Sequence, residues 1–329
     1  MPARSPLTVL LAQPRGFCAG VIRAIQTVEH ALQLHGPPVY VVHEIVHNRT
    51  VVDELRAKGA VFVERVEEVP RGAVAVLSAH GSAHSVFDRA ERRALRLVDA
   101  VCPLVAKVQQ QARRYASEGR AVILIGHRGH PEVEGTVGSV GVPVHVVSSI
   151  REVAALKLPA DEPAAYVTQT TLSMDDARSI IDALNLRFLD LHGPELDDIC
   201  YATQNRQDAV RRLASEVDMV LVVGSPSSSN SNRLCEVAAE CGVPAYLLDE
   251  AIQLDPAWLQ GISRLGLTAG ASAPESVVQS VLEKLGLLRD LEVREHEGTR
   301  EQVRFRLPLA ALRATVRRPR NSLRCSAPA

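Results

Sequence analysis

Three cysteines stand where the chain passes from an apolar run into a helical pattern: Cys18 in "PRGFCAG", Cys102 in "DAVCPLV" and Cys200 in "DDICYAT". Gly16 and Gly20 flank Cys18, an arrangement that a buried structural cysteine does not need and that a thiol meeting a bulky group does. Three thiolates can hold three corners of a cubane [4Fe–4S] cluster and leave the fourth iron open to a substrate oxygen. An open coordination position is what Lewis-acid chemistry requires. Cysteines also serve simply as small buried hydrophobes, and spacing alone leaves both readings open. There is no CxxC pair, which disfavours a zinc ribbon or a bacterial-type ferredoxin. Cys235 and Cys241 fall in "NRLCEVAAECG" and read as packing residues of a helix, while Cys325 lies in the C-terminal tail.

Polar clusters follow several of the apolar runs. His47 lies in "HEIVHN", His80 in "SAHG" and His130 in "IGHRGHPEVEG". Each could be a hydrogen-bonded core histidine or a donor to a phosphate oxygen. Ser228, Ser229 and Asn230 in "SPSSSNSNRL", and Ser272 in "TAGASAPE", precede helical patterns. Free backbone N–H groups and the helix dipole favour an anion there, although serine also serves as an ordinary N-cap. Two such motifs at corresponding positions of successive strand–helix units point to a phosphate or diphosphate. No Walker A or GxGxxG motif is present, so a nucleotide is not required. In "HPEVEG", Glu132 could act as a general acid if its pKa were raised. Glu134 is the alternative, and the pattern does not choose between them. Thr170 in "TQTT" could relay or orient a proton.

The elements that must position these groups alternate. Short β-branched runs ("LTVLLAQ", "PVYVVHEIV", "AVAVLSA", "AVILIGH", "AAYVTQT", "MVLVVGS", "PAYLLDE", "RLGLTAG") are separated by amphipathic patterns such as "GVIRAIQTVEHALQLHG", the signature of βαβ units and parallel sheets. Ligands of open parallel sheets bind beyond the carboxyl ends of the strands. Six polar clusters, two by two along the chain, therefore predict an α/β protein of three similar lobes facing one site. The division reads as an N-terminal strand segment (1–17), lobes at 18–101, 102–198 and 199–288, and an arginine-rich extension (289–329) expected to be flexible.

Composition sets the outer bounds. At 329 residues with 46% apolar content and 3% aromatics, the core must come mostly from Ala, Val and Leu. A net charge of −1 argues against nucleic-acid binding through a basic surface. The exception is the tail: from Arg289 onward there are ten arginines, no lysine, and no acidic residue after Glu301. Contact of that segment with RNA or another acidic partner is the lesser reading beside a solvated extension. No apolar run reaches membrane-spanning length and no signal-peptide pattern is seen, so a cytoplasmic location is expected.

Taken in order, "PRGFCAGVIRAI", "HEIVHN", "SAHG", "DAVCPLVAKV", "IGHRGHPEVEGT", "TQTTLS", "DDICYATQNRQ", "VVGSPSSSNSNRL" and "TAGASAPE" resemble the IspH (LytB) family of 4-hydroxy-3-methylbut-2-enyl diphosphate reductases, over roughly residues 7–286. The resemblance implies a pseudo-threefold trefoil around one [4Fe–4S] cluster held by Cys18, Cys102 and Cys200. It implies diphosphate contacts from His47, His80, Ser228, Ser229, Asn230 and Ser272. His130 and Thr170 would lie near the allylic alcohol, with Glu132 as the proton donor. The implied reaction is a two-electron reductive dehydroxylation giving isopentenyl and dimethylallyl diphosphate, the last step of the non-mevalonate route to isoprenoids. Ferredoxin or flavodoxin would supply the electrons. One departure touches the second cysteine: the family commonly reads "TCPLVTKVH", where this chain has Val101, Ala106 and Gln109, and a lost hydroxyl beside Cys102 would alter the cluster's potential.

Overall fold

The computed structural model describes residues 5–194 and 198–308. After β1 (Pro6–Leu11) the chain passes three times through an opening helix and then four strands with further helices between them. In the first lobe α1 (Ala19–His35) leads to β2 (Val39–Val42), α2 (Arg49–Ala57), β3 (Ala60–Val63), β4 (Val74–Leu77), α3 (His84–Arg92) and β5 (Arg96–Asp99). In the second, α4 (Pro103–Ser117) leads to β6 (Ala121–Ile125), α5 (Pro131–Val137), β7 (Val144–Val147), α6 (Ile150–Ala154), β8 (Ala164–Thr168), α7 (Met174–Arg187) and β9 (Leu191–His192). In the third, α8 (Tyr201–Ala214) leads to β10 (Met219–Val223), α9 (Ser229–Glu240), β11 (Ala245–Leu248), β12 (Arg264–Ala269), α10 (Glu275–Leu288) and β13 (Asp290–Glu295).

The sheet orders are β3-β2-β4-β5, β7-β6-β8-β9 and β11-β10-β12-β1-β13. Every pairing is parallel. Each lobe thus places its first and third strands side by side, which makes the carboxyl ends of β2/β4, β6/β8 and β10/β12 the topological switch points where ligands bind. The result is a trefoil of three α/β lobes.

The strand sequences explain the burial. "VAVL" in β4 and "MVLVV" in β10 are buried throughout, as parallel strands covered by helices on both faces require. In β1 the side chains alternate: Leu7, Val9 and Leu11 enter one core of the third sheet and Leu10 the other, the period of two expected of a strand. Among the described residues, no helix is long and apolar enough to cross a membrane.

The pairing departs from the sequence-based division at both ends. The 1–17 segment is not separate, because β1 lies between β12 and β13 in the third sheet. Nor does that lobe close at 288, because β13 pairs with β1 from Pro6↔Asp290 to Leu11↔Glu295. The reason is non-local. β13 is an exposed, charge-rich edge strand whose alternation is limited to Leu291 and Val293, and its partner is the other end of the chain. Residues 309–329, with Cys325, lie outside the described residues. Within the first lobe the expected strand "PVYVVHEIV" stops at Val42, where His43 takes φ 60°. That turn turns residues 43–48 into the loop that carries His47.

Candidate active site

Each of the three cysteines is the N-cap of the helix that opens a lobe or follows its last strand: Cys18 for α1, Cys102 for α4 and Cys200 for α8. The partial positive charge of a helix N-terminus favours a thiolate there. Cys200 Sγ also accepts from the Thr203 N–H at 3.3 Å and lies 3.1 Å from the Thr203 hydroxyl. Burial pushes the Cys102 thiol up to about 12, and the neighbouring Cys18 charge adds to it. The Cys200 thiol is pushed up to about 11 by burial and again by Cys18. The three sulfurs therefore repel one another as thiolates and need a cationic partner to be ionised together.

Gly20, in the first turn of α1, keeps space between the sulfurs. A Cβ there would stand 2.7 Å from Cys102 Sγ and 3.8 Å from Cys18 Sγ. Among the described residues, no three His, Cys, Asp or Glu side chains are gathered as a single metal ion requires. Three soft sulfurs lining one cavity at three helix N-termini, with Gly20 keeping a side chain away from two of them, suit an iron–sulfur group by the chemistry of their donors.

The loops after the central strands carry the remaining groups. His47 and His80, from the ends of β2 and β4, stack with ring centroids 4.2 Å apart, and His130 approaches both edge-on at 6.0 and 6.2 Å. His47 Nδ1 bonds Glu44 at 3.1 Å, and its buried Nε2 has no protein partner. His130 caps α5: its Nδ1 accepts from the Glu132 N–H at 3.2 Å, which leaves Nε2 as the donor in the neutral ring. Burial, followed by the charges of His47 and His130, holds His80 well below its usual range. Burial and His47 bring His130 to about 4. Both rings are therefore neutral at pH 7 until an anion arrives to favour their charged forms.

In the third lobe, the Ser228 hydroxyl caps α9 and accepts from the Ser231 N–H at 3.4 Å. Asn230 Oδ1 accepts from the Ala271 N–H at 2.8 Å, while its buried Nδ2 has no protein partner. The Ser272 hydroxyl donates to the His47 carbonyl at 3.0 Å and lies 3.4 Å from Ser228 Oγ, tying the third lobe to the first. Ser229 Oγ receives the Thr171 hydroxyl at 3.0 Å and lies 3.4 Å from Gln169 Nε2, tying the third to the second.

Glu132, in the first turn of α5, is 3% exposed. Its Oε1 accepts from the Thr170 N–H at 2.7 Å and its Oε2 from the Thr170 hydroxyl at 2.9 Å. Burial pushes its carboxyl up to about 7, against the lowering effect of the two Thr170 bonds. Burial is the larger effect, so the side chain is an acid poised to give up a proton near neutral pH. Glu134 instead faces the Gly129 N–H at an exposed position.

All twelve residues singled out in the sequence line one cavity of about 110 Å³: Cys18, Cys102, Cys200, His47, His80, His130, Glu132, Thr170, Ser228, Ser229, Asn230 and Ser272. No lysine or arginine is among its lining residues, so an anion there meets imidazoles, hydroxyls, an amide and helix N-termini. Thr203 and Thr171 also line it. The Cys-x-x-Thr spacing at the head of α8 was the available signal for Thr203, since it repeats the geometry of an N-cap and its N3 partner. Of the departures near Cys102, Gln109 is buried, and a Cβ on Gly81 would stand 2.4 Å from its Nε2. Cys241, expected to pack, caps the end of α9 and is exposed.

The chain is similar to known proteins over most of its length. The family model described as "LytB protein" matches residues 9–286. A Zymomonas mobilis protein named 4-hydroxy-3-methylbut-2-enyl diphosphate reductase is 58% identical over 92% of this chain and 89% of its own. A Burkholderia pseudomallei protein of the same name is 57% identical over 94% and 99%. Among solved structures, the E-1-hydroxy-2-methyl-but-2-enyl-4-diphosphate reductase of Plasmodium falciparum superposes with a TM-score of 0.86 at 37% identity, covering 95% of this chain and 98% of that one. A second, described as (E)-4-hydroxy-3-methyl-but-2-enyl diphosphate reductase, the terminal enzyme of the non-mevalonate pathway, gives 0.62 at 30% identity over 85% and 99%. On the strength of these matches across nearly its whole described length, the chain belongs to the LytB protein family.

Proposed function

We propose that this protein is a 4-hydroxy-3-methylbut-2-enyl diphosphate reductase, converting its substrate to isopentenyl and dimethylallyl diphosphates at the end of the non-mevalonate pathway. One observation carries the reading: three cysteine-capped helices, a cationless wall of anion donors and a buried acid all face one cavity. The reaction consumes two electrons and two protons, breaks the allylic C–O bond, forms a C–H bond and releases water.

Cys18, Cys102 and Cys200 would hold a [4Fe–4S] cluster, and three ligands for four irons leave one without a protein ligand. When bound, such a cluster supplies one-electron transfers and a Lewis-acidic iron. The protein's own residues do the rest. His47, His80, Ser228, Ser229, Asn230 and Ser272 take the diphosphate, and the buried Asn230 Nδ2 is a donor without a protein partner. Binding at that remote end fixes the carbon skeleton against the sulfurs, so binding energy is used to orient the reacting carbon. Glu132, kept protonated by burial, delivers a proton to the departing hydroxyl. The Thr170 hydroxyl, 2.9 Å from Oε2, donates to the carboxylate left behind and orients it. His130 Nε2–H stands ready as a second donor to the substrate's alcohol. Ferredoxin or flavodoxin brings the electrons. Three thiols kept reduced suit the cytoplasm, where glutathione and thioredoxin hold cysteines in that state.

The test is anaerobic turnover. Iron- and sulfide-reconstituted protein, given 4-hydroxy-3-methylbut-2-enyl diphosphate and a low-potential reductant, is expected to yield both five-carbon diphosphates by mass. A fully loaded protein that forms neither would overturn the proposal.

A further inference from the structure

The chain beyond β13 has no regular secondary structure up to residue 308, lies past the end of the family match at residue 286, and is nevertheless pinned along its length. The His296 N–H donates to the Leu11 carbonyl at 2.8 Å, extending the β13–β1 pairing. At Gly298 a Cβ would stand 1.7 Å from the Gln13 carbonyl oxygen, so only glycine lets the backbone pass that close. Five residues before Cys18, the segment is thus pressed against the loop that carries it.

Two arginines then join this segment to the cysteine turns. Arg206, on α8, is 0% exposed. Its Nε and Nη2 donate to the Gly16 carbonyl at 3.1 and 2.7 Å, two residues before Cys18, and its Nη1 donates to the Ala202 carbonyl at 2.9 Å, two residues after Cys200. Its carboxylate partner is Glu301, which meets Nη1 at 2.9 Å and Nη2 at 3.3 Å and also accepts from Asn205 Nδ2 at 3.2 Å. Arg23, on α1, donates from Nε to the Arg306 carbonyl at 2.9 Å and from Nη1 to the Val101 carbonyl at 2.8 Å, immediately before Cys102.

We infer that residues 296–306 form a strap that fixes the three cysteine turns relative to one another, with Glu301 as the positioning residue that holds Arg206 in place. A buried guanidinium without its carboxylate is an uncompensated charge. It regains solvation only by opening the Gly16 and Ala202 contacts, and that opening loosens the Cys18 and Cys200 turns together. The strap's second anchor is the Arg306 carbonyl, which holds the half-buried Arg23 so that its Nη1 stays on the Val101 carbonyl beside Cys102. This reading of the strap deepens the proposed function in that it assigns the cysteine turns to a cluster, but the contacts themselves exist without one.

The experiment uses the full-length protein, first free of metal. Site-resolved alkylation by iodoacetamide is followed by mass spectrometry for the parent protein, Glu301→Gln and Arg23→Gln. Cys235, half-buried on α9 and outside the strap's contacts, is the internal control. Glu301→Gln is expected to accelerate labelling of Cys18 and Cys200 by about tenfold or more, with Cys235 unchanged, as local opening requires. Arg23→Gln is expected to act mainly on Cys102 and Cys18. In iron-loaded protein, both variants should lose iron to a chelator faster than the parent. Unchanged labelling at Cys18 and Cys200 would overturn the inference, and so would equal acceleration at Cys235, which would reduce Glu301 to a general stabiliser. A parent protein that takes up no iron would count against the cluster, while the labelling rates would still decide the strap.

Discussion

Replacing Glu132 by glutamine keeps the side chain's shape and removes its proton, so it separates the cost of the acid from its use. Burial holds this carboxyl at about 7 rather than its ordinary 4.5, so its ionised form is worse placed in the fold than in the unfolded chain by about 3 kcal/mol. The sign follows from the raised pKa. The group's contribution to stability is fully present below 4.5 and is lost as pH rises through about 7. At pH 8 the parent protein therefore lacks most of that 3 kcal/mol, whereas the amide has nothing to lose. The amide keeps one acceptor for the Thr170 N–H and meets the Thr170 hydroxyl as the protonated acid does, but it brings a second N–H that has no acceptor, at a cost of about 1 kcal/mol. Glu132→Gln should then be more stable than the parent by about 2 kcal/mol at pH 8 and slightly less stable at pH 5. Urea unfolding of the metal-free proteins, under argon and reductant, at pH 5, 6.5 and 8 reads this directly. The same variant, loaded with iron, should turn over about 10²- to 10⁴-fold more slowly, and in the parent kcat should fall as pH rises past 7. Parallel stability curves from pH 5 to 8 would refute the account of a carboxyl kept protonated by burial, and near-parental turnover would remove Glu132 from proton donation.

Three further outcomes follow from the cavity. Because burial and mutual repulsion leave His80 and His130 neutral in the free protein, binding a diphosphate should draw in protons. Calorimetry in two buffers of different ionisation heat should show uptake that grows from pH 7.5 to 6, and identical heats would show that the imidazoles stay neutral. Gly20→Ala places a methyl 2.7 Å from Cys102 Sγ, so the variant should fold by circular dichroism yet retain little iron; parental iron content would mean that the sulfurs have room to move. Ser272→Ala should raise the Kd for the diphosphate about tenfold through one lost donor, whereas unchanged affinity would confine this hydroxyl to its bond with the His47 carbonyl.

The candidate site's lining residues were legible in the sequence because each of them sits where chain chemistry is most local. A cysteine before a helical pattern, a serine run before another and a histidine after an apolar strand are each readable within about ten residues. The parallel sheet then brings strand ends together by rule. What stayed hidden depends on distance along the chain. The place of β1 between β12 and β13 joins Pro6 to Asp290 and Thr8 to Arg264, and the short alternation of "DLEVRE" reads as tail rather than edge strand. Arg206 and Glu301 look like ordinary surface charges in sequence. Only the fold buries the first and brings the second to it. The expectation of a flexible extension from residue 289 does not hold for residues 290–301 for the same reason, since β13 pairs with β1 and Glu301 meets Arg206.

The central claim is that thiols and anion donors share one cavity, so that a ligand held by the histidines and serines also reaches iron held by the cysteines. Mössbauer spectroscopy of ⁵⁷Fe-reconstituted protein, recorded without and with 4-hydroxy-3-methylbut-2-enyl diphosphate, tests it most directly. The account predicts four irons of which one is distinct, and a change confined to that one when the diphosphate is added. Four irons whose spectrum is untouched by bound diphosphate would contradict it, because the two halves of the cavity would then be serving separate purposes.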